Sequence, residues 1–553
     1  MPSLVFVGLV AYSPLVNYVF WSPKAALVPL VVALGLPLVV RDAVAGDITA
    51  RMGLSFGVIG LLSAALSSNR TVAFFGLYGW GTGALFVLAI PAAWALGRSA
   101  TSSQLRPRIE IAALMGVAVN AAVVLLQASF DLEWARLGLI DGRPTGLMGS
   151  PVSLSALLAG GAGLVAARFR GRPIDLLWPI TLGAALQLCG SRAALAAGVV
   201  VSVVALRKRP RLAGAFFALA GIGLLLSVPL SRIQDVSTGT DRIQGESTAG
   251  AAARLRNWEI GVDAFGDRPV LGSGPGTYAL ATSALRTPEL AKAEGPDRIF
   301  ADAHNLVVEY AVTTGALGLL ALAAFGVLLL KDARDRPLLW FGIGLLAVHA
   351  VEPQHVTLTP FAFLAIGAAS RRQRSPSPPW WARAVAVIPA LVLGVLLLVG
   401  DYQLHQSDLD FTQDQAATAL RILPRWKEPA SLQARNVLYE AIVTRSGAKF
   451  EESREWRAEA ARREPTDPSV WGKLADMDMR MGDPEAAVTN FERGLRANPV
   501  SVSIRLGLIE ALTALGRNAE AAAVVLEAQA LAPNPEQVET LDAYARALAE
   551  TAS

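Results

Sequence analysis

The stretch AHNLVVEYAVTTGALGLLALAAFGVLLL, residues 303–330, decides the fold class of this chain. After a polar opening at His304 and Asn305 it carries one charged side chain, Glu309, and is otherwise dominated by Leu, Val, Ala, Gly and Thr. A helix rises about 1.5 Å per residue and a bilayer core is about 30 Å thick, so roughly 20 apolar residues suffice to cross it. This run is long enough. Comparable runs lie near 2–20, 25–40, 52–67, 81–97, 109–128, 151–167, 174–190, 192–206, 212–230, 337–352, 356–370 and 383–400. With 553 residues, 53% hydrophobic and only 17% charged, the composition departs from that of a soluble globular protein. The spacing predicts an all-α, polytopic membrane helical bundle of about 12–13 transmembrane helices. Met1 to Phe20 lacks a basic leader region and a small-residue cleavage site, so it reads as a retained first span.

The loops alternate in charge. Arg98/Arg106/Arg108, Arg168/Arg170/Arg172, Arg207/Lys208/Arg209/Arg211, Lys331/Arg334/Arg336 and Arg371/Arg372/Arg374 all fall on one side of this map. The positive-inside rule makes that side cytoplasmic. The opposite, extracytoplasmic side then receives 68–80, 129–150, the Gly190-Ser191-Arg192 corner, the long loop 231–302 and everything after Gly400. The protein is thus expected to be a multi-pass membrane protein. Cys189, the one cysteine, sits in an apolar run and supports neither a disulfide framework nor a cysteine metal site.

From Asp401 the composition shifts to charged residues with Ala and Leu at helical spacing. Pro465, Pro499 and Pro533 are 34 residues apart, as are Gly482 and Gly516. With Trp471, Leu474, Ala475, Ala487 and Phe491 between them, the period resembles a tetratricopeptide (TPR) repeat. The unit 468–501 fits well, 502–535 keeps Gly516, Ala521, Ala528 and Pro533 without the tryptophan, and 412–467 reads as one or two degenerate helix pairs. The expected division is a transmembrane domain, 1–400, followed by an α-helical TPR-like solenoid, 401–553, offering a surface to a protein partner.

The polar segment Ser231 to Asp302, roughly 70 residues, is far longer than an ordinary connection. It holds Arg254, Arg256 and Trp258 on an amphipathic helix near 250–265, whose Trp258, Ile260 and Phe265 are expected on a membrane-facing side. It continues through Arg268-Pro-Val-Leu-Gly-Ser-Gly-Pro-Gly276 to His304. Arginine binds phosphate oxygens through a planar fork and stays charged in a partly dry site, so Arg143, Arg192, Arg254 and Arg256 suit a phosphate or pyrophosphate. His304 fits a helix cap, a structural partner or a general base. Glu309, roughly 140° around the helix from His304, is not its dyad partner. Gly272, Gly274 and Gly276 lack the preceding strand and following Lys-Ser/Thr of a nucleotide loop and read as turn glycines. No acid or histidine cluster has metal-ligand spacing, and Asp235, Asp241 and Asp263 are scattered. Nothing indicates a cofactor or a nucleic acid.

In this order, these motifs resemble the bacterial O-antigen ligase and O-antigen polymerase superfamily. Ser67-Ser-Asn-Arg-Thr with Gly76-Leu-Tyr-Gly, Arg143-Pro-Thr-Gly with Ser150-Pro-Val, and Ser191-Arg-Ala-Ala are similar to its early loops and Ser-Arg corner. Arg254-Leu-Arg-Asn-Trp258, the Arg268–Gly276 run and Ala303-His-Asn305 with Thr314-Gly-Ala-Leu-Gly318 are similar to its large loop and the following span. The resemblance covers about 50–370. It implies metal-independent, inverting transfer of an undecaprenyl-pyrophosphate-linked glycan to a glycan, lipid or protein acceptor hydroxyl on the outer face of the bacterial inner (cytoplasmic) membrane, where the protein is expected as a multi-pass protein. By carry-over, Arg192 and Arg254 would neutralise the leaving pyrophosphate and Arg143 would assist. Arg256 and Asn305 would help bind substrate, and His304 would serve as base or orient the diphosphate. Ligase, polymerase and protein O-oligosaccharyltransferase remain open. A lipid-linked oligosaccharide transporter is the alternative class, against which stands the lack of internal duplication in the spans. A membrane-anchored scaffold is a third reading, and a single span would suffice for it.

Overall fold

The structure, a computed structural model, describes residues 1–100, 104–236, 248–371, 380–531 and 534–552. Asp241, Glu246, Arg372, Arg374 and Pro533 lie outside the described residues. The fold is an all-α multi-pass bundle followed by further helices arranged as a TPR-like region. The chain opens with α1 (Pro2–Val10), and α2 (Ser22–Ala25) leads into α3 (Val28–Val44). Then come α4 (Ile48–Leu66), α5 (Arg70–Phe75), α6 (Ala84–Ser99), α7 (Leu105–Ser129), α8 (Pro151–Arg168), α9 (Pro173–Cys189), α10 (Arg192–Leu206) and α11 (Pro210–Ser231). The long polar segment holds α12 (Thr248–Asp267), α13 (Tyr278–Thr282) and α14 (Pro288–Glu294). The bundle resumes with α15 (Leu306–Asp332), α16 (Pro337–His349), α17 (Leu358–Ala369) and α18 (Trp380–Asp410).

Among the described residues, seven stretches are long and apolar enough to cross a membrane: Ser22–Val44, Ile48–Leu66, Leu105–Ser129, Pro151–Arg168, Pro210–Ser231, Leu306–Asp332 and Val385–Asp410. Five shorter apolar helices, α6, α9, α10, α16 and α17, supplement them. The expected first span, 2–20, is corrected: it is helical only over Pro2–Val10. Pro14 lacks an N–H and cannot extend the helix. Carbonyls left over are collected by buried Lys24, whose Nζ donates to Ala11 O at 2.5 Å, Phe20 O at 3.1 Å and Leu147 O at 2.6 Å.

Close packing rests on small residues, since apolar surface gains little by leaving lipid for another helix. At the α6–α17 crossing a Cβ on Gly97 would strike the backbone of Leu364, and one on Gly367 that of Trp94. Arginines gather at one end of the bundle and pair with acids of neighbouring segments. Arg98 meets Asp47 at 2.7 Å, Arg168 meets Glu110 at 2.6 Å and Arg207 meets Asp335 at 3.0 Å.

The tail helices are α19 (Gln413–Ile422), α20 (Lys427–Thr444), α21 (Gly447–Arg463), α22 (Pro468–Arg480), α23 (Pro484–Ala497), α24 (Val502–Ala514), α25 (Asn518–Gln529) and α26 (Pro535–Ala552). Gly482 and Gly516 adopt φ of 76° and 69° between paired helices, as the 34-residue spacing anticipates. The expected boundary at 400/401 falls inside α18, which continues to Asp410.

Candidate active site

Asn305 is the N-cap of α15. Its side chain accepts from the N–H groups of Val307 at 2.9 Å and Val308 at 3.2 Å, satisfying donors that the helix leaves open. His304 is therefore not the cap. It stands one residue earlier, at φ 50°, in the left-handed region that non-glycine residues enter at some cost. The Asp302 carboxylate holds this turn by accepting the His304 N–H at 2.8 Å, and Glu309 accepts the Ala303 N–H at 3.0 Å. From the other side, α12 reaches in. The Trp258 indole donates to Ala303 O at 2.9 Å, and Asn257, itself bonded by the Tyr278 hydroxyl at 2.7 Å, donates to Asp302 O at 3.4 Å.

These supports place His304 and Arg254 on one carboxylate, Glu352, in the connection between α16 and α17. Arg254 Nη2 donates to both Glu352 oxygens at 3.0 Å, and His304 Nδ1 lies 3.7 Å from Oε2, at ion-pair rather than hydrogen-bond distance. Burial works to raise the Glu352 carboxyl, but His304 and Arg254 outweigh it and hold the group below the ordinary glutamate range. At Asp302, 3.9 Å from His304 Nε2, burial wins over the nearby His304 and raises the carboxyl. His304 thus lies between two carboxylates in different electrostatic states. The cleft around them, with about 340 Å³ of open space, is also lined by Trp80, Thr82, Asn305, Glu309 and Gln354. Leu306 lines both this cleft and an apolar groove of about 1020 Å³ on the flank of the bundle, between α15, α16 and α17.

The glycine-rich run has a structural task. Gly272, Gly274 and Gly276 take φ of 72°, 116° and 70°, so the turn reading holds. The turn clasps α15 where Gly315, at φ 68° and ψ −175°, breaks the helix. Ser273 and Gly274 donate to the carbonyls of Val312 at 2.9 Å and Thr313 at 3.0 Å. Ala316 and Leu317 donate to Pro269 at 2.8 Å and Val270 at 3.3 Å. The Val312 and Thr313 carbonyls and the Ala316 and Leu317 N–H groups are ones that the break would otherwise leave without helical partners.

Of the sequence-predicted residues, Arg254 and His304 meet at Glu352, and Asn305 lines the same cleft. Arg256 does not join them: two positions on, it lies about 200° around the helix and pairs with Glu259 at 2.7 Å. Arg192 stands exposed in the first turn of α10, behind the Ser191 cap. Arg143 lies beside Asp141 at 3.7 Å. The expected membrane-facing side of α12 is also corrected. Ile260 is buried, Trp258 bonds inward and Phe265 packs with Tyr278 and Ala303, whereas Leu255 and Val262 are exposed. Sequence reasoning missed Glu352. Its signal was present: it is the sole acid between Asp335 and Asp401, set in the polar run Glu352-Pro-Gln-His355. Among the described residues no group of three or more His, Cys, Asp or Glu is arranged to hold a metal ion.

Fold and cleft together describe a polytopic membrane protein with a charged site at one end of its bundle. Residues 179–323 match the family model described as O-Antigen ligase, and 473–535 match one described as Tetratricopeptide repeat. The chain thus carries an O-antigen-ligase-family domain and a TPR-like domain. No curated protein matches it.

Proposed function

We propose that the chain transfers a glycan from undecaprenyl pyrophosphate to an acceptor hydroxyl on the outer face of the inner membrane, as an O-antigen ligase does. One observation carries the reading: a cleft lined by His304 and by Glu352, the carboxylate that Arg254 grips, shares Leu306 with a large apolar groove open on the bundle flank. A lipid-linked diphosphate has this division, a long apolar chain joined to a charged head. The arginine-rich end, with its inter-helix ion pairs, faces the cytoplasm under the positive-inside rule, and the cleft faces the opposite side.

Glu352 occupies only Nη2 of Arg254, which leaves Nη1 and Nε for phosphate oxygens. As the sugar–diphosphate C–O bond breaks, Arg254 meets the charge building on the leaving oxygen, with Arg192 as a second cation from the α10 corner. The acceptor oxygen forms the new C–O bond from the opposite face of the sugar, and its proton passes to His304, whose imidazolium Glu352 stabilises. No step in this scheme calls on a metal ion.

His304→Ala and Arg254→Ala are each expected to lower transfer by about 10²–10³-fold, the range for losing one preorganised transition-state contact. The assay is in vitro transfer from purified lipid-linked glycan, with membrane insertion checked in parallel. Unchanged rates in both variants would sink the site. Product analysis separates the subclasses: lengthened chains on the carrier indicate a polymerase and glycosylated protein an O-oligosaccharyltransferase, whereas a glycan moved to a lipid acceptor supports the ligase.

A further inference from the structure

A second polar pocket lies where the long loop meets the TPR-like helices, with about 700 Å³ of open space, within the range of small-ligand sites. Leu280 and Ser283 come from the loop, Thr466 from the α21–α22 turn, Trp471 from α22, and Arg493 and Arg496 from α23. The guanidinium of Arg493 lies over the Trp471 ring, 5.1 Å from its centroid. The indole is fixed in turn by donating to Pro465 O at 2.8 Å. Trp471 therefore holds Arg493 in one orientation before any ligand arrives. Arg496 follows at i+3, on the same side of the helix. Among the described residues no carboxylate pairs with either arginine, whereas Arg454, Arg463 and Arg517 elsewhere in this tail each have one. Two guanidinium groups without a carboxylate partner, i and i+3 on one helix beside hydroxyls and an aromatic ring, make a site for a carboxylate-bearing ligand with polar flanks.

Its position narrows the ligand. Thr466 also bonds Asn69, whose Nδ2 donates to its hydroxyl at 3.0 Å, beside the loop that brings Trp80 and Thr82 to the His304–Glu352 cleft. The short helix that gives Leu280 to the pocket gives Tyr278 to the support behind Asp302. We propose that this pocket binds an acidic sugar unit of an oligosaccharide, holding a glycan chain that extends from the cleft. The assignment rests on the glycan-transfer reading for its ligand class.

Binding is measured on the full chain in detergent by titration with tetragalacturonate, maltotetraose and tetraglutamate. Tetragalacturonate is expected to bind, with at least a tenfold loss in the double variant Arg493→Gln/Arg496→Gln and a smaller loss in Trp471→Phe. His304→Ala should bind as wild type does, so failure of the transfer reading shows in activity and failure of this one in binding. No tetragalacturonate binding by wild type, or equal binding by the double variant, overturns the proposal. Equal affinity for maltotetraose overturns recognition of the acid, and equal affinity for tetraglutamate overturns the sugar.

Discussion

Glu352 is the residue on which the site turns. It accepts two hydrogen bonds from Arg254 Nη2 and lies beside His304, so removing its charge affects two groups at once. Glu352→Gln keeps the shape and one acceptor oxygen but loses the anion. Transfer is expected to fall about 10²–10³-fold, measured in the same assay as the His304 variant. The pH dependence has a definite sign. A carboxyl held below its unfolded value contributes stability above that value and loses it as pH falls through the folded one. The thermal midpoint of Glu352→Gln should therefore lie below wild type at about pH 7, and the gap should narrow as pH falls below the ordinary glutamate range. A constant gap would show that the charge is not what stabilises the site. His304 was legible because an ionisable residue beside an apolar run is conspicuous, and Arg254 because it belongs to an ordered motif in an unusually long polar segment. Glu352 was not, because its pairing joins positions 98 residues apart and it reads as the end of a span.

At the scale of elements, the apolar runs revealed the helices but not the break inside α15. Thr-Thr-Gly is tolerated in an apolar helix, and nothing local announces that Gly315 sits at φ 68°. Nor does the glycine-rich run announce its partner 40 residues on. In Gly315→Ala the new Cβ would meet the Val270 carbonyl and sit in a conformation costing about 1–3 kcal/mol. Lower thermal stability together with reduced transfer is the expected result; wild-type values for both would mean the clasp is dispensable. In the tail, α20 begins with Lys427 and Glu428 against Glu464 and Asp467. Burial first, then Glu464, push the Glu428 carboxyl up to about 7 against the pull of Lys427. A raised carboxyl stabilises below its unfolded value, and that contribution is lost as pH rises through the folded one. Glu428→Gln, permanently neutral, should therefore gain stability relative to wild type at about pH 8 and show less difference at about pH 4. Thermal melts at the two pH values test this, and an unchanged difference would remove Glu428 as the titrating group.

Across the whole molecule, the 34-residue period revealed the repeats but not that they are seated on the site's own loops. Solenoid helices bury their shared faces against neighbours, which leaves a sequence signal; docking onto another unit uses scattered polar contacts, which do not. Asp297 of the long loop accepts from the Ser503 N–H at 3.2 Å and hydroxyl at 2.8 Å, and from Gln537 at 2.9 Å. Asp401, past the expected boundary, accepts the Tyr18 N–H at 3.2 Å and the Tyr78 hydroxyl. A cut at 400 would therefore unseat part of the bundle as well as remove the tail. Trp426 gives a cleaner test. It is buried among Phe75, Tyr78 and Leu423, and its indole donates to Gly76 O at 2.9 Å, at the base of the loop carrying Trp80 and Thr82 into the cleft. Trp426→Ala should cost about 3–5 kcal/mol of local packing and lower transfer without touching a reacting group. Trp426→Phe, which loses mainly the hydrogen bond, worth about 1 kcal/mol, should retain most activity. If Trp426→Ala transfers glycan as well as wild type while its melting point falls, the tail is docked for stability alone and the cleft keeps its shape without it.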